Sequence, residues 1–228
     1  MTMIAIALSP DFCVVAADRA VGHLTQSGRI IALKKQSTKI EYFTSEPMPF
    51  VATCAGLSDA VDLIPQIVQR NAPLTSRSDL GQLTTSVSQI VKRNVSKQRL
   101  SDAPTTTYIV ALTDDNQLYF QAYHLNDDDI GAYDVIGRSL GIIPSGFDTE
   151  KAHEQIRNQY WRDQLTQAIL PSGSRTKAQR LEAVLEVFQG AFGECASLNN
   201  LVSSNFDYCV INKSDRSITF NGTPPAFD

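Results

Sequence analysis

Thr2 stands directly behind the initiator Met1. A neutral threonine hydroxyl is a poor nucleophile and needs a base beside it, but a threonine at the chain terminus carries its own, the α-amine. That amine has an ordinary pKa of about 7.7–8.0, so it can accept a proton near neutral pH. Removal of Met1 is expected in the cytoplasm ahead of a residue as small as threonine, and would place nucleophile and base on one residue. The bland alternative is an ordinary second residue, followed by Met3. The cysteines offer less: Cys13, Cys54, Cys195 and Cys209 show no CxxC spacing and lie in apolar stretches, which reads as buried free thiols rather than disulfides. His23, His124 and His153 are too far apart in sequence to suggest a metal centre, and no cofactor is expected.

Composition narrows the class. With 43% apolar and 19% charged residues, the 228-residue chain belongs with ordinary globular proteins. Roughly 70% of the unfolded surface is buried in a domain of this size. A net charge of −4 with scattered Lys and Arg gives no footprint for nucleic acid or an anionic membrane, and both are excluded as primary partners. The apolar start MTMIAIALSP is short and has no basic leader, and no run approaches the roughly 20 residues of a membrane helix. The expected location is cytoplasmic, which makes the N-x-S/T matches at Asn94, Asn212 and Asn221 chance occurrences.

The elements that must position Thr2 begin at once. Residues 3–8 alternate Ile4, Ile6 and Leu8 with small alanines, Ser9-Pro10-Asp11 turns the chain, and 12–18 return as a second strand. Both faces are apolar, which demands cover on two sides. Strands are expected over 29–33, 39–43 and 50–55. A helix capped by Ser58 should follow, with Ala60, Val61, Ile64, Ile67 and Val68 on one face. A second helix starts at Ser78-Asp79 and carries Leu80, Leu83, Val87, Ile90, Val91 and Val95. Strands over 105–112 and 118–124 flank a turn at Asp114-Asp115-Asn116, and a shorter one spans 133–136. After a Gly/Pro/Ser-rich loop come helices over 148–169, ended by Pro171-Ser172-Gly173, and over the stripe Leu181, Val184, Leu185, Phe188, Ala191, Phe192 and Cys195. A hairpin of 206–211 and 217–220 closes the chain. With no internal repeat or linker, the expectation is one domain, α+β, with two stacked antiparallel sheets flanked by helices.

Four pieces of this sequence together resemble a known family: Thr2, then V-V-A-A-D at Val14–Asp18 with Arg19-Ala20, T-K-I at Thr38–Ile40, and C-A-G-L-S-D-A at Cys54–Ala60. In order and spacing they resemble the proteasome β-type subunits of bacterial type, which are N-terminal nucleophile hydrolases. The resemblance covers about the first 70 residues specifically, and beyond them I-G-R-S at Ile136–Ser139 and the order of elements. It implies a four-layer αββα sandwich over residues 1–228 and a threonine-type peptidase. The implied site is Thr2 as nucleophile, Lys39 beside its hydroxyl, Asp18 holding the ammonium, Gly56 offering its N–H to the oxyanion and Ser139 as a supporting serine. It also implies peptide or unfolded-protein substrates and a homo-oligomer, ring or open spiral, that encloses its active sites. An ATP-dependent unfoldase partner is compatible with this, though no residue points to one.

The sequence departs from the family pattern in places. The stretch between Asp18 and Lys39 is several residues longer than usual, leaving Lys34 and Lys35 as rivals for the active-site lysine. Arg138 stands where the supporting serine is usual, and Asn200 or Leu201 replaces an aspartate three residues before Ser203-Ser204. Residue by residue, Asp18 could instead pair with Arg19, Lys39 could be a solvated strand end, and Gly56 could serve only a strand-to-helix turn. Two further readings therefore stay open beside the peptidase: a catalytically inactive subunit serving assembly, and a non-peptidic amidase of the same superfamily.

Overall fold

A computed structural model describes residues 2–222 except 28, 72, 104, 126–129, 136–139, 143–150 and 171–174, with backbone alone at 34–35, 130–135, 140–142 and 151–157. Twelve strands and six helices are described, so the chain is α+β. The strands are β1 (Ile4–Leu8), β2 (Phe12–Asp18), β3 (Ala20–Leu24), β4 (Ile30–Gln36), β5 (Ile40–Phe43), β6 (Phe50–Ala55), β7 (Thr106–Leu112), β8 (Leu118–His124), β9 (Ile130–Val135), β10 (Leu140–Ile142), β11 (Phe206–Asn212) and β12 (Ile218–Asn221). The helices are α1 (Asp59–Asp62), α2 (Ile64–Arg70), α3 (Arg77–Asn94), α4 (Lys97–Asp102), α5 (Lys151–Ile169) and α6 (Lys177–Leu198).

All described pairings are antiparallel, in sheets ordered β10-β1-β2-β11-β12 and β5-β6-β7-β8-β9, with β3-β4 a separate hairpin. Alternation assigns the faces. Ile4, Ile6 and Leu8 of β1 and Cys13, Val15 and Ala17 of β2 pack against Val51, Tyr108, Val110, Leu112 and Phe120 of the second sheet. The opposite faces, Ala5, Ala7, Phe12, Val14 and Ala16, pack against Leu165 and Ile169 of α5 and Val184, Phe188 and Phe192 of α6. Phe50, Ala52, Ile109 and Ala111 turn the outer face of the second sheet toward α1–α4. This explains why β1 and β2 are apolar on both faces up to Asp18: every residue of both is buried. Cys13, Cys54, Cys195 and Cys209 are free and buried.

Several boundaries differ from the sequence expectation. The helix after Ser58 is two short pieces, because Pro65 lacks the N–H to continue the ladder and its ring crowds the preceding turn. Ser58 itself has helical dihedrals and makes no side-chain cap hydrogen bond. The next helix starts two residues earlier than Ser78, at a capping box in which Ser76 accepts from Asp79 N and Asp79 accepts from Ser76 N. Strands β3 and β10 and helix α4 were not anticipated. Pro171-Ser172-Gly173, Arg138 and Ser139 lie outside the described residues, as does Met1, and nothing is described of the Lys34 and Lys35 side chains. Trp161, on the weakly periodic α5, lies over Gly190 of α6, where a Cβ would stand 2.6 Å from the ring, and its indole N–H donates to Glu194 at 2.6 Å.

Phe188 is fully buried in the α5–α6 cluster and meets Phe192 edge to face. Phe188→Ala should cost about 3–5 kcal/mol of unfolding free energy. Equilibrium denaturation in urea, compared at equal m-value, measures it.

Candidate active site

The site lies where the first strands of one sheet meet the residue that enters the first strand of the other. Asp18 ends β2 with no exposure at all. Its Oδ1 accepts from Met3 N at 2.9 Å and from Lys39 Nζ at 2.9 Å. Its Oδ2 accepts from Ala20 N at 2.9 Å and from Ser203 N at 3.3 Å. Three backbone donors and one ammonium therefore satisfy a carboxylate whose desolvation would otherwise cost several kcal/mol. The alternative pairing of Asp18 with Arg19 is not what forms: the Arg19 Nε lies 3.6 Å from Asp207 instead.

Lys39 precedes β5 and points back across the sheet interface. Its Nζ donates to Thr2 Oγ1 at 3.1 Å as well as to Asp18, with a side chain only 12% exposed. Its carbonyl is held by the Thr53 hydroxyl at 2.8 Å. Thr2, 6% exposed, thus has a cation on its hydroxyl oxygen, an arrangement that stabilises an alkoxide more than an alcohol. Met3 N and O both engage Asp18, fixing the chain one residue beyond Thr2. The structure brings Thr2, Asp18 and Lys39 together by direct contact.

A cavity of about 210 Å³ opens beside them. Thr2, Lys39, Cys54 and Gly56 line it on one side, β3 and the start of β4 on another, and Leu57, Val61, Asp59, Asp62, Arg99 and Ala103 on the third. Gly56 has φ 108°, a left-handed conformation that a side chain would strain, and it leaves the wall free of a Cβ. The turn after it is fixed by Leu57 N donating to the Thr105 hydroxyl at 2.9 Å. Arg99 and Asp59 stand 3.9 Å apart at the rim, about half exposed, a pair of little energetic weight.

Cys54 is the other nucleophilic side chain at this wall. Burial pushes its thiol up to about 12 even though the nearby Lys39 charge pulls the other way, and the thiol donates to Leu57 O at 3.3 Å. At neutral pH it stays protonated and inert. His23 also lines the cavity, whereas the His124 ring bonds the Thr106 hydroxyl at 2.6 Å. Among the described residues no group of His, Cys, Asp or Glu could hold a metal ion.

The sequence points to the α6–β11 connector through Ser203-Ser204, but not to the backbone group that acts there. Ser203 reaches Asp18 through its backbone N–H, while its hydroxyl accepts from Asn205 N at 3.0 Å. A backbone donor leaves no residue-type signature to read. Asn200 is exposed, and the buried polar group of that turn is Asn199, whose side chain caps Leu201 N at 2.9 Å. No helix of the described residues is long and apolar enough to cross a membrane.

No family model and no curated protein matches the sequence. Solved structures do. The chain is similar to Anbu (ancestral beta-subunit) from Yersinia bercovieri at 10% identity, with TM-score 0.62 over 98% of this chain and 88% of that one. It is similar to Anbu from Pseudomonas aeruginosa, solved as a helical assembly, at 13% identity, TM-score 0.64, over 99% and 88%. It is also similar to the eukaryotic HslV of Trypanosoma brucei at 13% identity, TM-score 0.51, over 92% and 99%.

Two acids near the cavity carry a pH signature. Burial, and then the neighbouring Asp62 charge, raise the Glu41 carboxyl above its ordinary range; burial, and Asp59 after it, raise Asp62 although a Ser58 hydrogen bond opposes. A carboxyl with a raised folded-state pKa favours folding below its unfolded pKa and loses that advantage as pH rises through the folded value. Glu41→Gln should therefore raise the thermal midpoint at pH 7 and lose that gain below about pH 4. Melting curves of both proteins across pH 3.5–8 test the sign. What the fold comparisons add to this geometry is an architecture: the chain has the proteasome-like fold of Anbu and HslV.

Proposed function

We propose that the protein is a threonine-type amide hydrolase that cleaves peptides through Thr2, once Met1 has been removed. The observation that carries this reading is the single ammonium of Lys39 shared between Thr2 Oγ1 at 3.1 Å and Asp18 Oδ1 at 2.9 Å, at the wall of a cavity. In the mature chain the Thr2 α-amine takes the hydroxyl proton as Oγ1 attacks the carbonyl carbon. Lys39 stabilises the developing alkoxide, and Asp18 keeps the ammonium in place. The Gly56 N–H donates to the oxyanion, a contribution of about 3 kcal/mol for one such donor. Collapse of the tetrahedral intermediate expels the amine with the proton from the α-amine, and water then hydrolyses the Thr2 ester. The cavity receives the substrate side chain beside the scissile bond. Ser139, the supporting serine of the family pattern, belongs to this proposal on sequence alone.

The same reading extends to architecture and assembly. Apolar clusters between the sheets and on the outer face of each support a single four-layer αββα domain over residues 1–228. A structural neighbour solved as a helical assembly supports a homo-oligomer. Peptides or unfolded chains as substrates, and the cytoplasm as location, belong to this proposal on the family resemblance alone.

A second reading, a non-catalytic assembly subunit, draws on the α6–β11 connector: residues 199–204 read Asn-Asn-Leu-Val-Ser-Ser, with no carboxylate where the family pattern has one. One experiment separates the two. Incubated with an epoxyketone or β-lactone directed at N-terminal threonine, the peptidase gains one covalent adduct on Thr2, seen by intact mass on a chain that begins at Thr2. Thr2→Ala should show none, and Lys39→Ala should react at least about 100-fold more slowly. A protein that retains Met1, or that takes no adduct, refutes the enzymatic reading. An adduct without cleavage of any peptide would identify a non-peptidic amidase.

A further inference from the structure

The residues Ser37, Thr38 and Lys39 join β4 to β5 without belonging to a strand; Lys39 O is held by the Thr53 hydroxyl at the entry to β5, whereas Ser37 and Thr38 lie outside any ladder. Their restraints come from elsewhere. Ser37 N donates to Arg19 O at 3.0 Å, and the Thr38 hydroxyl donates to Asp207 Oδ2 at 2.9 Å. Asp207 belongs to β11, in register opposite Ala17 of β2, and is 1% exposed. The same Oδ2 lies 3.6 Å from Arg19 Nε. The residue that follows Asp18 and the residue that precedes Lys39 thus converge on one buried carboxylate oxygen, supplied by β11 of the sheet that carries Asp18.

This is a costly arrangement for packing alone. Asp207 Oδ1 and Arg19 Nε have no hydrogen-bond partner among the described residues, and an apolar residue would fill the space without desolvating charge. The chain after β12 closes over the group: a Cβ on Gly222 would stand 2.5 Å from Asp207 Oδ1 and 2.4 Å from the Phe220 ring. The carboxylate is 1% exposed, and the hydrogen bond it accepts among the described residues comes from Thr38.

We infer that Asp207 is a positioning residue, setting the reach of Lys39 Nζ to Thr2 Oγ1 by anchoring Thr38 to the sheet that carries Asp18. The inference rests on the reading of Thr2 as nucleophile. Asp207 does not line the cavity, so its effect falls on the reacting atoms and not on side-chain recognition. A misplacement of about 1 Å at a reacting centre costs on the order of 100-fold in rate.

The test is the inactivation kinetics of the full-length protein with a threonine-directed β-lactone, which separate the maximal rate kinact from the half-saturation KI. In Asp207→Ala, kinact should fall about 10- to 100-fold with KI unchanged. The pH midpoint of inactivation should also move up, because the ammonium that disfavours protonation of the Thr2 amine has shifted. Asp207→Asn keeps an acceptor for the Thr38 hydroxyl and should recover most of the loss. A purely structural role would lower the thermal midpoint yet leave kinact and the pH midpoint of the folded protein where they are, and that result overturns the inference. If Asp207→Ala does not fold, Thr38→Val is read by the same two quantities, a loss supporting the inference and an unchanged kinact refuting it. A wild-type chain that takes no label removes the Thr2 reading and this inference together. A labelled wild type with unaltered variants removes this inference alone.

Discussion

The carboxylate of Asp18 is the constraint on which this site hangs. It is fully buried, and its oxygens are occupied by the backbone of residues 3, 20 and 203 and by the Lys39 ammonium. Each donor belongs to a different part of the chain: the start of β1, the entry to β3, the α6–β11 connector and the entry to β5. A charge placed in an apolar interior is tolerated only when its hydrogen-bonding capacity is filled. The four segments consequently cannot drift apart without exposing an unpaired ion to the core, and Thr2 inherits its position because Met3 is one of the four.

The core explains why that ion pair is potent where it sits. The faces of β1, β2 and β11 toward the second sheet are Ile4, Ile6, Leu8, Val15, Cys209 and Ile211, all but inaccessible to solvent. Asp18 is fully buried and the Lys39 side chain is only 12% exposed, so the Lys39 charge is screened less than one at an open surface. The same surroundings suppress the competing nucleophile. The Cys54 thiol, burial-raised to about 12, cannot use the Lys39 charge it feels. In the proposed hydrolase the hydroxyl is favoured over the thiol by contact: Lys39 donates directly to Thr2 Oγ1.

Legibility in the sequence followed burial. The β1–β2 hairpin, β6–β8 and α6 were readable because an apolar run bounded by turn residues, or a three- and four-residue stripe, is the residue-level image of burial. Strand β3 was not, since Ala20-Val21-Gly22-His23-Leu24 forms an exposed hairpin with no buried face to imprint a pattern. Helix α4 buries only Leu100 and β10 spans three residues, lengths at which a periodicity does not exist. Asp18 and Lys39 were singled out by a family pattern of side chains, and the contact of Lys39 with Thr2 needed geometry. The roles of Ser203 and Asp207 escaped, one because it contributes a backbone N–H, the other because an Asp alternating with Phe206 and Tyr208 looks like the solvent face of a strand.

The two sides of the cavity are built to different standards. The charged side is carried by β1, β2 and the start of β5, anchored in the core. The opposite side is carried by the β3–β4 hairpin, whose Ile31 and Leu33 stand 54% and 46% exposed, and by α1 and α4, four and six residues long. Elements with few buried contacts open locally at low free energy, whereas core strands open only with the whole fold. An arrangement of this kind keeps the distances among Thr2, Lys39 and Asp18 fixed while the opposite wall of the cavity can adjust. For the proposed hydrolase, rigid reacting groups facing an adaptable wall would suit one transition state and varied chains.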